Sequence, residues 1–322
     1  MRTIGAAVAL ACVVTGMLNP AFAQEACAPG HDKLGVSRTI TINAAGGPAF
    51  GMQYKGQPLL ADGEVVLTFD DGPMRAYTRP ILETLAAQCT KATFFMVGQM
   101  AQTDPETVKE VARRGHTVGA HTWSHANLQS LSQANAQDEI ELGLSAVQRA
   151  LGKPIAPFFR FPYLRDGAFT LGHIKARQVA IFSIDIDSRD FQTREAHAVY
   201  ERVMREVGSK RKGIILFHDI HASTVRALPR ILEELKAHKF KVVHLVPKAN
   251  AATLAEYDEL ARQAAERKRL ATAGNPLAKR AFVPSPGLLA AEATGALPPP
   301  ATAPRTGSTD EDWTVRFWRE AP

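Results

Sequence analysis

The sequence predicts an α/β fold built on a parallel sheet, open or closed into a barrel. Three observations predict it. Seven β-rich runs alternate with helical patterns between Glu64 and Leu245. The runs are near-continuously apolar, as strands covered on both faces must be. Polar side chains gather just after them, where α/β enzymes place their chemistry.

The elements follow in order. Val36–Ile42 and Gly51–Tyr54 read as short strands of an N-terminal arm, with Gly-Gly-Pro turn chemistry between them. The seven runs are Val65–Phe69, Ala92–Val97, Thr117–Ala120, Phe158–Phe161, Val179–Ile184, Gly213–Phe217 and Lys241–Leu245. Helical patterns fall over Arg79–Gln88, Pro105–Arg114, Gln133–Leu151, Arg194–Lys210 and Val225–Lys239. Thr103-Asp104-Pro105-Glu106 is a start signal, with proline in the first turn and acids nearby. Thr253–Ala273 reads as an exposed, charge-laced helix containing Glu266-Arg267-Lys268-Arg269. Residues 274–322 form a Pro/Ala-rich tail, predicted to be disordered because it cannot bury enough apolar surface to offset its ordering entropy. Near the end of that tail Trp313, Val315 and Phe317 alternate, a pattern that suits an added strand or a docking segment. The predicted organisation is therefore 1–23 signal, 24–63 arm, 64–250 main domain, 251–273 helix and 274–322 tail.

Composition narrows the class without naming a function. At 322 residues, 45% hydrophobic and 22% charged, the chain can bury a full core. Its 38 basic and 32 acidic side chains leave a net +6, without the dense basic runs of a nucleic-acid binder. Arg2, the apolar stretch Ile4–Leu18 and Ala21-Phe22-Ala23 follow the order of a secretory signal peptide cleaved before Gln24. An apolar stretch of that length is short for a span, which needs about 20 residues, so no integral membrane segment is expected after cleavage. The chain is therefore expected to be exported, periplasmic or secreted. Cys27 and Cys89 then remain. In an oxidising compartment a bridge between them is favoured over a buried Cys89 with a free Cys27 thiol.

The chemistry lies at the ends of the runs. The first gives Thr68-Phe69-Asp70-Asp71-Gly72-Pro73 and the third His121-Thr122-Trp123-Ser124-His125. The fourth gives Arg160-Phe161-Pro162-Tyr163, the fifth Asp185 to Asp190, and the sixth His218-Asp219. Each alone is ordinary, since Asp-Asp-Gly-Pro is a common turn and two histidines four apart occur by chance. Their placement at successive strand ends is not. An i, i+4 spacing puts both imidazoles on one face of a helical turn, within reach of a common metal. Two imidazoles and a carboxylate make a metal site with open positions, able to acidify water and polarise a carbonyl. Adjacent carboxylates diverge from an extended backbone, so one can ligate while the other serves as a base. Arg160 would keep that base ionised, and His218 suits the acid, with Asp187 holding its ring. A metal, a base and a separate acid describe hydrolysis of an ester or amide.

These runs, with Asp187-Ser188-Arg189-Asp190 and Leu216-Phe217-His218, resemble the five ordered motifs of the polysaccharide deacetylases, the NodB-homology or family 4 carbohydrate esterases. The resemblance spans about Val65 to Leu245. It implies a distorted, incomplete (β/α) barrel and a divalent ion, zinc or alternatively Co2+, Ni2+ or Mn2+, held by Asp71, His121 and His125. Asp70 would activate the attacking water with Arg160 beside it, and the backbone N–H of Tyr163 would help bind the oxyanion. His218, tuned by Asp187, would protonate the departing amine, and Leu216 would line the acetyl pocket. Phe191 stands where the family commonly carries Trp. The implied function is an exported deacetylase of an N-acetylated polysaccharide: peptidoglycan, a chitin-like oligomer or poly-N-acetylglucosamine. A hydrolase of small cyclic amides and a glycan-binding protein with a decayed site are the alternatives. A monomer is the default expectation.

Overall fold

A computed structural model of the chain describes Cys27, residues 32–56 and residues 58–274. The expected signal segment and the tail with Trp313, Val315 and Phe317 lie outside the described residues. The strands are β1 (Arg38–Ile42), β2 (Ala49–Phe50), β3 (Glu64–Asp70), β4 (Thr93–Met96), β5 (Thr117–Ala120), β6 (Phe158–Phe159), β7 (Ala180–Phe182), β8 (Ile186–Asp187), β9 (Gly213–His218) and β10 (Lys241–Pro247). The helices are α1 (Arg75–Ala87), α2 (Gly98–Thr103), α3 (Pro105–Arg113), α4 (Gln133–Leu151), α5 (Ala168–Ala176), α6 (Ala196–Lys210), α7 (Ala222–Ala237) and α8 (Ala255–Gly274).

Every ladder among the described residues is parallel. β3 is the hub. One path runs from it through β4, β5, β6 and β7 to β2, another through β9 to β8, and a third through β10 to β1. No ladder among the described residues joins β7 to β8, so the sheet curls without closing. That is the incomplete barrel the sequence led us to expect. The arm supplies β1 and β2 to this sheet, and a Cys27–Cys89 disulfide, Cα atoms 5.4 Å apart, ties its start to the turn after α1.

The two faces of each strand follow the period-2 alternation of a pleated backbone. On β3, Val65, Leu67 and Phe69 join the layer packed against the helices, with Leu82 and Leu85 of α1 and Leu228 and Leu232 of α7. Val66 faces the barrel interior, where Phe95, Phe158, Phe182 and Ile214 fill the space together with Ile42 and Leu60 from the arm. Continuing the inner row past Val66 gives Thr68 and Asp70, both buried. The same continuation gives Arg160 beyond Phe158 on β6, and Leu216 and His218 beyond Ile214 on β9. The apolar lower half of the barrel thus hands over to a polar upper half at the carboxyl ends of the strands. Gly119 of β5 makes room for this core: a Cβ there would lie 2.7 Å from the Phe158 carbonyl oxygen and 3.1 Å from the Phe95 ring.

Phe182 packs against three other rings of the interior. Its centroid lies 4.8 Å from that of Phe158, 5.2 Å from Phe50 and 5.8 Å from Phe95. Phe182→Ala is expected to cost about 3–5 kcal/mol, through lost burial and an unfilled cavity. Urea titration checks this, and a loss under about 1 kcal/mol would show that the ring does not anchor the interior.

Several expectations need correction. Gly51–Tyr54 is a turn, and the strand lies just before it at Ala49–Phe50. Gly51 has φ 97° and a Cβ there would meet the Ser183 carbonyl carbon at 2.8 Å, so the backbone leaves the extended region at that residue. β8 and α2 had no sequence signal because they are too short to show a period, and α5 because only Thr170 and Ile174 of its nine residues are buried, which makes no apolar stripe. α8 is not an exposed helix. Tyr257, Ala261 and Ala264 form a stripe that packs on Trp123, Leu142 and Ala146. Two of those three helix residues are alanines, so the stripe is faint beside the surrounding charges. No helix among the described residues is long and apolar enough to cross a membrane.

Candidate active site

The side chains that close the upper half of the barrel come from five strand ends. From β3, Asp70 ends the strand and Asp71 follows in a left-handed conformation, φ 76°, which turns its carboxylate away from that of Asp70. From β5, His121 follows the strand, and a tight bend brings back His125. That bend is not the helical turn expected from the spacing. Thr122 and His125 have φ values of 65° and 62°, and the Glu139 carboxylate of α4 holds the bend by accepting from Ser124 N–H at 2.8 Å and Ser124 Oγ at 2.7 Å. Backbone conformations of this kind cost about 1–3 kcal/mol each and persist only when neighbours enforce them.

Asp71, His121 and His125 converge. Each offers one ligand atom, these atoms lie within 4.8 Å of one another, and all three residues are buried. His121 Nε2 and His125 Nε2 are 3.4 Å and 3.3 Å from Asp71 Oδ1. The other ring nitrogen of His121, Nδ1, donates to the Arg160 carbonyl at 2.7 Å, which fixes the tautomer and leaves the Nε2 lone pair aimed at the cluster. Burial, with His125 nearby, pushes the His121 pKa down to about 3, so its ring is neutral, as a ligand must be. Both Asp71 carboxylate oxygens are buried without a hydrogen-bond donor among the described residues. A buried carboxylate left so, with the imidazoles of His121 and His125 around it, fits a divalent cation.

Asp70 sits beside this cluster, with Oδ2 3.8 Å from His121 Nε2. Its Oδ1 accepts from Arg160 Nη1 at 2.7 Å. Arg160 is fully buried, and its other hydrogen bonds go to Thr68 Oγ1, the Phe182 carbonyl and the Ser183 carbonyl, with the guanidinium stacked 4.4 Å over the Phe95 ring. A charge this deep is tolerable only with such complete bonding. Burial raises the Asp70 pKa to about 6, even against the pull of Arg160.

On the other side stands His218. The expected partner, Asp187, does not hold its ring. Asp190 does, with Oδ1 2.6 Å from His218 Nδ1 and Oδ2 accepting the His218 backbone N–H at 2.8 Å. Thr224 Oγ1 donates to the same carboxylate at 2.5 Å. Asp187 instead lies at the rim, accepting the Arg189 backbone N–H at 2.9 Å. The physical reason is local: Arg189 is left-handed, φ 50°, and the single turn Asp190–Gln192 that follows carries Asp190 inward. Burial opposes charge on His218, but the Asp190 carboxylate outweighs it and raises the pKa to about 10. With Nδ1 engaged by Asp190, Nε2 faces the cluster, 4.0 Å from Asp71 Oδ2.

The remaining predicted residues line this centre. Leu216 is buried on the inner face of β9, level with Asp187. The Phe191 ring packs edge-on to His218 with centroids 5.5 Å apart. Tyr163, left-handed at φ 56°, sets its ring edge-on to His125 at 4.7 Å. Sequence reading missed the roles of Asp190, Thr224 and Glu139. A second Asp two residues beyond Ser188 was visible, but nothing local distinguished it from Asp187.

Comparison with known proteins shows the family. Residues 60–176 match the family model described as polysaccharide deacetylase. A peptidoglycan-N-acetylglucosamine deacetylase of Bacillus cereus is 32% identical over 184 residues, covering 56% of this chain and 84% of that protein. The chain belongs to the polysaccharide deacetylase family. A chitin deacetylase of Colletotrichum lindemuthianum is a second family relative, 30% identical over 204 residues, covering 58% of this chain and 81% of its own length. Among solved structures, a peptidoglycan deacetylase of Bdellovibrio bacteriovorus superposes with a TM-score of 0.62 at 32% identity, covering 68% of this chain and 61% of that one. The family fold and the incomplete barrel described above are therefore the same architecture.

Proposed function

We propose that this chain is an exported hydrolase that removes N-acetyl groups from a glycan, with peptidoglycan or a chitin-like polymer as substrate and zinc as its ion. One observation carries the reading: a buried Asp71–His121–His125 cluster is flanked by an arginine-paired carboxylate, Asp70, and by an aspartate-paired imidazole, His218. The names of the relatives, peptidoglycan and chitin deacetylases, support the substrate class.

Asp71, His121 and His125 would hold the ion. When bound there, a divalent cation supplies Lewis acidity for the acyl oxygen and lowers the pKa of groups around it. Asp70, ionised above about pH 6, takes a proton from the water that attacks the acetyl carbon. Arg160 fixes the orientation of that carboxylate. As the C–N bond breaks, His218 Nε2 gives its proton to the amine nitrogen and acetate departs. Asp190 stabilises the imidazolium form of His218, which keeps the acid loaded at neutral pH. Both pKa values are pushed up, to about 6 for Asp70 and about 10 for His218, so that between them the base is ionised while the acid stays protonated. The Tyr163 backbone N–H is assigned to the oxyanion, and Leu216 and Phe191 to the acetyl and sugar wall.

Acetate release by the chain from Gln24 onward, against peptidoglycan, chitin oligomers, poly-N-acetylglucosamine and acetylated xylan, tests this reading. Release from an N-acetylated polymer, abolished by chelator and restored by zinc, is the expected result. His121→Ala should lose bound metal and activity together. Release unaffected by chelator, or none from any polymer with metal bound, would overturn the proposal and point to a small-amide hydrolase or a binding protein.

A further inference from the structure

Asp219 follows His218 at the end of β9 and touches none of the groups assigned to the reaction through its side chain, yet it is fully buried beside them. Its carboxylate reaches across to the turn after β3. Oδ1 accepts the Gly72 backbone N–H at 3.0 Å, and Oδ2 accepts from Thr78 Oγ1 at 2.6 Å. Thr78 Oγ1 in turn accepts the Met74 N–H at 2.8 Å. The Asp219 backbone N–H donates to the Asp70 carbonyl at 3.2 Å. One side chain therefore pins Gly72 directly and Met74 through Thr78, while its own backbone holds Asp70. The residue enclosed by these contacts is Asp71.

The fit is close. A Cβ on Gly72 would lie 2.1 Å from Asp219 Oδ2, so glycine is required for the carboxylate to sit where it does. Asp71 is left-handed, and a non-glycine residue in that region relaxes unless its neighbours hold it. We propose that Asp219 is a positioning residue that, through Gly72 and Thr78, holds the Asp71 carboxylate at the distance the His121–His125 pair requires. This rests on the reading that Asp71, His121 and His125 hold a divalent ion. Thr78 is part of the same device although it lies on α1 and faces no substrate.

The test is zinc affinity of the full chain, measured by competition with a chromophoric chelator, alongside kcat and KM. Asp219→Asn keeps the acceptor for Gly72 but turns an amide NH2 toward Thr78 Oγ1, which already accepts from Met74. Thr78→Val removes the hydroxyl bridge from the other end, and Thr78→Ser restores it. Groups that orient ligands typically contribute 10–100-fold in affinity or activity. We therefore expect the zinc Kd to rise about 10- to 100-fold in Asp219→Asn and Thr78→Val. Their kcat at saturating zinc should fall with KM unchanged, and Thr78→Ser should match the parent protein. If Asp219→Asn does not fold, the two Thr78 variants decide the matter. Parent-like zinc Kd in folded Asp219→Asn or Thr78→Val overturns the proposal. Asp71→Ala in the same titration separates the two readings: if it too binds zinc normally, the metal assignment itself is wrong.

Discussion

Replacing Asp70 by Asn lowers acetate release by about 10²- to 10⁴-fold, the usual contribution of a positioned base, while leaving bound zinc in place. The structure separates the two effects because Asp70 and Asp71 point differently: Asp71 meets the imidazoles, whereas Asp70 meets Arg160. The pH profile carries the same information. The reacting form of Asp70 is the carboxylate, and burial raises its pKa to about 6 from 3.8. The bound ion pulls this value down, so activity should be full above pH 6 and fall about tenfold per unit once pH drops through a limb at or below about 6. Metal content by atomic absorption, rates on an N-acetylated glycan and a melting curve suffice. A variant within about tenfold of the parent rate would remove Asp70 from the role of base.

The second large effect distinguishes two aspartates that the sequence could not. Asp190→Asn is expected to lower activity by about 10²- to 10⁴-fold, the range for a general acid, whereas Asp187→Asn stays within about threefold. His218 Nδ1 donates to the Asp190 carboxylate, and that charge keeps the ring protonated against the cost of burial. An amide in its place carries no charge, so burial is then opposed only by the Asp71 and Asp70 carboxylates, and the His218 pKa falls from about 10 toward its ordinary 6.5. The acid must be protonated to act. The alkaline limb of the pH–rate profile therefore moves to lower pH in Asp190→Asn and stays in place in Asp187→Asn. If Asp187→Asn is the damaged variant and Asp190→Asn is not, the pairing described for His218 does not operate during turnover.

The strand ends were readable because period-2 alternation is a local property. Val66–Thr68–Asp70 and Ile214–Leu216–His218 each continue one inner face from apolar to polar, so position along the strand already indicates depth in the barrel. Arg160 was readable for the same reason, two residues beyond Phe158. The bend between His121 and His125 was not. Its left-handed residues are enforced by Glu139 on a helix that begins eight residues after His125, and the spacing alone suggested a helical turn. The contact of α8 with Trp123 was hidden in the same way, since three small or aromatic residues do not announce a buried face among so many charges.

By itself, then, the sequence determined the alternation of strands and helices, the side of each strand that meets the interior, and the chemical inventory gathered at the strand ends. These depend on residue type and spacing within a few positions. Only the tertiary structure decided that Asp190 rather than Asp187 meets His218, and that Asp219 reaches Gly72 and Thr78 across the gap between two strands. Those pairings join residues 28, 147 and 141 positions apart. Their geometry depends on a few backbone dihedrals near the contact and on how neighbouring strands bring the ends together, and neither is encoded in a local pattern.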